Sequence, residues 1–457
     1  LDGTFAVTIL KNDSENIFAA RKGSPLILGI GKNKNEYFVA SDIPAFIEYT
    51  KEVIFLEDND LVELNDSYKI TNIETGKEVN RPVKKIDWDA EQAQKGDFEH
   101  FMLKEIFEQP ESIKKTFQGR IKDNKVSFED FYISDYYLGS INKITIVACG
   151  TSWHAGLVGK YIIESLTKIP VDVDYASEFR YRKPILDGKT LVIPISQSGE
   201  TADTLAAIKE AKSKGAKVLS ICNVIGSSIP RESDTTIYTR AGIEIGVAST
   251  KAFTAQLTVL YLFGVYIAQL TGAWPSSHLK ERLNYLKNIP KQISFVLDES
   301  KEIIDCAKEY HKKTNALYLG RGTNFPIALE GALKLKEVSY LHAEGYPAAE
   351  MKHGPIALID HNMPTVVIAV QDSSYSKIKS NMEEVKSRGG KIIAISTEGD
   401  KEIKKLADYV LYVPKTSGLL YPMLTVIPLQ LLAYHIAKLR ECDIDKPKNL
   451  AKSVTVE

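Results

Sequence analysis

Ile144-Thr145-Ile146-Val147-Ala148-Cys149-Gly150-Thr151-Ser152 runs a β-branched, apolar strand straight into a glycine turn, and a helical pattern follows from about His154 to Leu166. A short apolar run closed by Gly and continued by a dozen helix formers opens a β–α unit. The alternation goes on through Leu191-Val192-Ile193-Pro194-Ile195, a helix over Ala202 to Lys214, and Ala216-Lys217-Val218-Leu219-Ser220-Ile221. Strands separated by helices of that length imply a parallel sheet covered on both faces. From about Ile141 onward the chain is therefore read as α/β.

The plan recurs further along. Lys212-Ser213-Lys214-Gly215-Ala216-Lys217-Val218 is matched 174 positions later by Lys386-Ser387-Arg388-Gly389-Gly390-Lys391-Ile392. Cys149-Gly150-Thr151 is matched 172 positions later by Arg321-Gly322-Thr323, and Ala176-Ser177-Glu178-Phe179 at the same interval by Ala348-Ala349-Glu350-Met351. A nearly constant register of this size predicts two tandem α/β domains, placed at 139–290 and 291–440; it is far longer than the periods of solenoids. The first 88 residues differ. Phe5 to Leu10, Ser24 to Gly31, Glu36 to Asp42 and Val53 to Glu57 read as short antiparallel strands ended by Gly, Asn and Asp. A boundary is expected near residue 90, then a polar helical lead-in over Ala90 to Gln109 within 89–138, and a tail over 441–457.

Composition narrows the function. The 457 residues carry 58 basic against 59 acidic side chains, so no net positive field exists to hold a phosphate backbone, and a nucleic-acid partner is not expected. Hydrophobic residues at 44% and charged residues at 26% describe a folded globular chain. Cys149, Cys222, Cys306 and Cys442 are scattered without a C-x-x-C pair, which suggests reduced thiols in a cytoplasmic protein and no metal site. The most apolar stretch, Leu257 to Leu270, is interrupted by Thr258 and Gln269 and is shorter than a span of about 20 residues, so it reads as a buried helix and no membrane is expected. The opening Leu1-Asp2-Gly3-Thr4, with no Met, reads as the start of a fragment.

Chemistry is expected where the strand ending at Ile195 meets a helix through Ser196-Gln197-Ser198-Gly199-Glu200-Thr201. Open α/β sheets bind ligands beyond the carboxyl ends of their strands, and a hydroxyl-rich helix N-terminus suits a phosphate monoester. Such residues are also ordinary helix caps. Ser152 can add a hydroxyl from the same edge. The second copy has Gln371-Asp372-Ser373-Ser374 there, and an Asp repels phosphate, so one phosphate site per chain is expected. Glu330, Lys334 and Glu337 share a helix face at i, i+4 and i+7; a stripe of that kind is ordinarily solvated. With His353, in Met351-Lys352-His353-Gly354-Pro355, they form a set able to do acid/base work on a sugar. Lys452 sits alone in an uncharged terminal run, Asn449 to Glu457, that predicts a docked tail and a candidate imine-forming amine.

These segments together resemble the glutamine–fructose-6-phosphate aminotransferase family over essentially the whole chain. The resemblance rests on Cys149-Gly150-Thr151-Ser152, Ile195 to Thr201, Glu330 to Glu337, Lys352-His353-Gly354-Pro355 and Asn449 to Glu457. It implies two sugar isomerase (SIS) domains, preceded by part of an N-terminal-nucleophile glutaminase domain at about 1–85. It implies that Thr151, Ser152, Ser196, Gln197, Ser198 and Thr201 bind the sugar phosphate, with Val247 and Ser249 as further sugar contacts. Glu337 resembles the base that moves a proton between C1 and C2, Lys334 its neighbouring lysine, and His353 a ring-opening residue supplied by the partner of a homodimer. Lys452 resembles the lysine linked to the open-chain sugar, and Ala451 a residue lining an ammonia channel. Fructose 6-phosphate, glucosamine 6-phosphate and glutamine or ammonia are the implied partners, with no metal or organic cofactor.

Two departures qualify the likeness. No Cys precedes Cys149, so the thiol nucleophile of the glutaminase is absent from this sequence, and Lys448 stands where the family usually has Arg. A truncated glutaminase portion is expected to leave a free strand edge. A glutamine-independent SIS deglycase or isomerase would have no use for the remnant, and a non-catalytic sugar-phosphate sensor would need the Ser196–Thr201 loop without Glu337, His353 and Lys452.

Overall fold

The computed structural model describes the chain except for residues 2, 13, 34, 87–93, 130, 299–300 and 456–457. The boundary expected near residue 90 and the last two residues of the tail lie outside the described residues.

Each α/β half is a five-stranded parallel sheet. The first joins Lys143–Ala148, Val171–Tyr175, Thr190–Ser196, Lys217–Cys222 and Thr235–Tyr238; the second joins Asn315–Gly320, His342–Pro347, Thr365–Ala369, Ile392–Thr397 and Tyr409–Val413. Numbering strands within each half, both sheets run second, first, third, fourth, fifth, so the duplication read from sequence is a duplication of topology. The central strand Thr190–Ser196 is buried at every residue, as a parallel strand covered on both faces must be. The order reverses between the first and third strands, and a crevice opens there at their carboxyl ends. In the first half that crevice lies between Ala148 and Ser196.

The two halves share one apolar core that includes Ile146, Ile162, Leu260, Tyr318, Leu335 and Leu429. Two packings build it, Gly150–Thr167 against Lys251–Leu270 and Phe325–Ser339 against Tyr421–Leu439, and the first helices of these pairs also touch each other. Equivalent glycines set both approaches. A Cβ on Gly159 would lie 2.9 Å from Leu260 Cδ2, and one on Gly331 would lie 2.7 Å from Leu429 Cδ1. Lys251–Leu270 and Gly418–Leu439 are long and apolar enough to cross a membrane, yet they are the central buried helices of the two halves, as expected for Leu257 to Leu270.

The N-terminal segment forms two antiparallel four-stranded sheets. One orders Phe5–Leu10, Ile17–Lys22, Asp60–Leu64 and Tyr68–Asn72; the other orders Tyr37–Ala40, Ile27–Ile30, Glu52–Phe55 and Lys84–Lys85. Phe5–Leu10 is a largely exposed edge strand. The strands expected over Ser24 to Gly31 and Glu36 to Asp42 are shorter than predicted, because Pro25 and the Asp42 cap lie outside the ladders.

The helical lead-in needs correction. Among the described residues of the lead-in, helix begins at Phe101, running Phe101–Phe107 and then Gln109–Phe117 with Pro110 in its first turn. The start is set from afar: Asp445 accepts the free N–H groups of Phe101 and Met102, each at 2.9 Å. The boundary placed at 290/291 falls inside the helix Ser276–Asp298, which carries Pro290 within it.

Candidate active site

The strand Thr190–Ser196 ends in a loop whose own hydroxyls shape it. Ser196 Oγ accepts the Gly199 N–H at 2.9 Å and lies 3.1 Å from Thr201 Oγ1, and Ser198 Oγ accepts the Glu200 N–H at 3.2 Å. Gly199 has φ of +70°, and a Cβ there would lie 1.9 Å from Ser227 Oγ, so the turn requires glycine. Glu200 faces away from the crevice and accepts the Ser228 N–H at 2.9 Å. Burial raises its carboxyl above the ordinary range, against the lowering effect of Ser228. The helix Ala202–Ser213 follows directly, with Thr201 at its N-terminus making no side-chain cap hydrogen bond among the described residues.

The terminal segment closes over this loop. Ser453 Oγ donates to Ser198 Oγ at 3.0 Å, and the Val454 carbonyl accepts the Ala202 N–H at 3.2 Å. Lys452 Nζ donates to Glu244 Oε2 and to the Gly246 carbonyl, both at 2.7 Å. The tail is docked, as its uncharged sequence predicts.

Loop, tail and second half enclose a cavity of about 340 Å³, within the usual range for small-ligand sites. Its walls include Thr151, Ser152, Ser196, Gln197, Ser198, Thr201, Val247, Ser249, Glu337, Ala451 and Lys452. Eleven of the thirteen residues to which the family resemblance gives a role thus meet in one place. Ser249 Oγ is buried there without a partner among the described residues, a donor left over for a bound molecule. Ser152 Oγ accepts from Gln256 Nε2 at 3.0 Å.

Lys334 lies directly beneath. The charged stripe expected to be solvated is buried: Glu330 and Lys334 are fully covered and only Glu337 reaches the cavity. The stripe falls on the seam between the two halves, so the first half supplies its polar partners. Lys334 Nζ lies 2.5 Å from Glu337 Oε2, 3.4 Å from Glu330 Oε1 and 3.0 Å from Thr151 Oγ1, while Thr151 donates to Glu330 at 3.1 Å. Burial works against the Lys334 ammonium, but the Glu337 and Glu330 carboxylates outweigh it and hold its pKa above the ordinary value.

His353 is placed elsewhere. It sits exposed in the 3₁₀ turn Glu350–His353, and among the described residues no hydrogen bond or ion pair joins it to the cluster. At the equivalent place in the second half, Asp372 accepts from the Ser374 N–H and hydroxyl at 2.7 Å each and from Asn324 Nδ2 at 3.3 Å.

The SIS domain model matches residues 137–266 and 309–440, the two sheet halves. The glutamine–fructose-6-phosphate aminotransferase (isomerizing) of Chlorobaculum tepidum is 52% identical over 461 residues, covering 100% of this chain and 74% of its own length. That of Bacteroides thetaiotaomicron is 50% identical with the same coverage. The chain belongs to the glutamine–fructose-6-phosphate aminotransferase (isomerizing) family. The solved C-terminal domain of the glucosamine-fructose-6-phosphate aminotransferase of Francisella tularensis superposes with a TM-score of 0.74 at 42% identity, covering 77% of this chain and 100% of that one. A glucosamine-6-phosphate deaminase from Thermotoga maritima superposes at 0.62 with 25% identity over 78% of this chain and 99% of that one. As an aminotransferase family member, the chain holds its SIS pair complete.

Three contributors were missed from the sequence. Glu244, Gln256 and His154 lie in helix or loop positions with no local motif. Only the fold brings them to Lys452, Ser152 and Glu330.

Proposed function

We propose that this chain binds fructose 6-phosphate in the cavity at the 148/196 switch point and carries out the sugar half of the aminotransferase reaction there, giving glucosamine 6-phosphate. The observation that carries the reading is the meeting, in one cavity, of the Ser196–Thr201 loop, Glu337 and Lys452. The loop and the start of the Ala202–Ser213 helix take the phosphate, fixing C1 and C2 of the open-chain sugar against Glu337. Lys452 supplies the amine that condenses with the C2 carbonyl as water leaves; ammonia, from glutamine in the family's reaction, then adds to that C2 iminium and displaces the Lys452 amine, giving a C2 imine. Glu337 removes a proton from C1 and returns it to C2, which leaves the C2 amine and a C1 aldehyde. Lys334 holds the Glu337 carboxylate in place through this cycle.

His353 acts across a homodimer in this reading, which its exposure in the Glu350–His353 turn supports. The four thiols are free, in keeping with a cytoplasmic setting.

The test is product formation from fructose 6-phosphate, with glutamine and with ammonium separately, while isomerisation to glucose 6-phosphate is followed in the same tubes. Isomerisation without glutamine is the expected result. Retained sugar-phosphate binding with no turnover of any kind would overturn the reading in favour of a sensor.

A further inference from the structure

Lys452 is held from behind. Its Nζ donates to Glu244 Oε2 and to the Gly246 carbonyl, and Glu244 lines a second cavity that adjoins the sugar cavity and shares Gln197, Ser198, Ala451, Lys452 and Ser453 with it. Glu244 is itself rigid. It is fully covered within its side chain, and Oε1 accepts the Thr250 and Ala252 N–H groups at 2.9 and 3.0 Å, at the start of the Lys251–Leu270 helix. The Gly246 peptide is fixed in turn by Glu105, whose Oε1 accepts the Ile245 and Gly246 N–H groups. The neighbouring cation Lys251 is engaged with Glu108 at 2.5 Å, leaving Glu244 to Lys452.

We infer that Glu244 is the positioning residue for the tail lysine: it holds the Lys452 ammonium at the floor of the sugar cavity and receives its proton when the amine is released to the sugar carbonyl. The inference rests on the reading of Lys452 given above. The step balances. The ammonium passes one proton to the Glu244 carboxylate, and the freed nitrogen lone pair forms a C–N bond to C2 as the C=O π pair moves to oxygen. That oxygen gains two protons, one from nitrogen and one returned by Glu244, and leaves as water. The products are an iminium at C2 and an ionised Glu244. Burial alone would raise the Glu244 carboxyl, but the Lys452 charge outweighs it and holds it below the ordinary range, so the acceptor is ionised when needed.

Glu244→Gln separates the roles. The amide oxygen can still accept the Thr250 and Ala252 N–H groups, while its NH₂ opposes the lysine. Borohydride added with fructose 6-phosphate reduces an imine to a stable adduct that mass spectrometry locates on Lys452. The expected result is a strong adduct in the unaltered chain, a fall of about tenfold or more in Glu244→Gln, and partial recovery in Glu244→Asp. The isomerisation kcat should fall with it while KM changes by less than about threefold, because the phosphate loop is untouched. If Glu244→Gln fails to fold, Glu244→Asp gives the same comparison with the charge kept and its reach shortened. An adduct at or above the unaltered level in a folded Glu244→Gln chain overturns the inference and leaves the reading of Lys452 standing. No adduct in the unaltered chain overturns both.

Discussion

His154 Nδ1 lies 2.7 Å from Glu330 Oε2, across the seam between the two sheet halves. With Thr151 and Lys334 this contact ties the Gly150–Thr167 helix to the Phe325–Ser339 helix that carries Glu337. Thr151 and Glu337, which both line the cavity, therefore meet in one polar network through Lys334, and their spacing is set by packing of the halves instead of by any local motif.

Lys334→Met tests that network. The substitution keeps the volume but leaves the Glu330 and Glu337 carboxylates without their shared cation, and removing one partner of a buried charge cluster costs about 3–5 kcal/mol. Denaturant unfolding should show a loss of that size together with loss of isomerisation. A variant within about 1 kcal/mol of the unaltered chain would show that the cluster is not the brace inferred here.

Glu337→Gln should separate binding from chemistry. The amide preserves the side-chain shape at the cavity wall but cannot take a proton from C1. Calorimetry should give sugar-phosphate affinity within about threefold of the unaltered chain, with interconversion of fructose and glucose 6-phosphates reduced by about 10³-fold or more. Residual turnover near the original rate would refute the assignment of the base.

Ser198→Ala and Thr201→Ala should each weaken sugar-phosphate binding by about tenfold or more, since a hydrogen bond to a charged group contributes about 1.5–3 kcal/mol. The same substitutions should leave inhibition by an uncharged sugar unchanged. Equal affinity in calorimetry would mean that the phosphate lies elsewhere.

Much of this was legible in the sequence because it is local. Strand–turn–helix punctuation at Ala148-Cys149-Gly150 and at Ile195 to Thr201 marks the crevice without reference to the rest of the chain, and the register of about 172–174 positions exposes the duplication. The polarity of the Glu330–Lys334–Glu337 stripe misled for an equally local reason. Helical periodicity shows which residues share a face, but not whether that face meets water or another helix. Thr151 and His154, 176 or more positions away, decide that it is buried. The start of helix at Phe101 was hidden likewise, since its cap is Asp445.

Glu105 offers a pH test of the same region. Burial, then the facing Glu244 charge, raises its carboxyl to about 8, with the Lys452 and Lys251 ammonium groups and the Ile245 N–H opposing. The folded chain therefore holds a proton that the unfolded chain, near 4.5, releases. The stability this confers is complete below about pH 4.5 and is lost as pH rises to about 8. In Glu105→Gln the amide oxygen can still accept the Ile245 and Gly246 N–H groups, so the fall in stability between pH 5 and 8 should flatten. An unchanged slope in urea unfolding across that window would show that Glu105 is ionised in the folded chain.

Deleting the chain from Asn449 should abolish activity without unfolding the sheets. The segment contributes no strand to either sheet; it is joined through Ser453 to Ser198, Val454 to Ala202 and Lys452 to Glu244, contacts at a cavity wall that solvent can replace. The thermal midpoint should move by only a few degrees, and phosphate-dependent binding should weaken by less than about tenfold, because Ser196, Gln197 and Thr201 remain. Isomerisation should fall by about 100-fold or more, as both the amine and one wall of the cavity are gone. A deletion variant that keeps full turnover would show that Lys452 is dispensable and that the docked tail serves only to cover the loop.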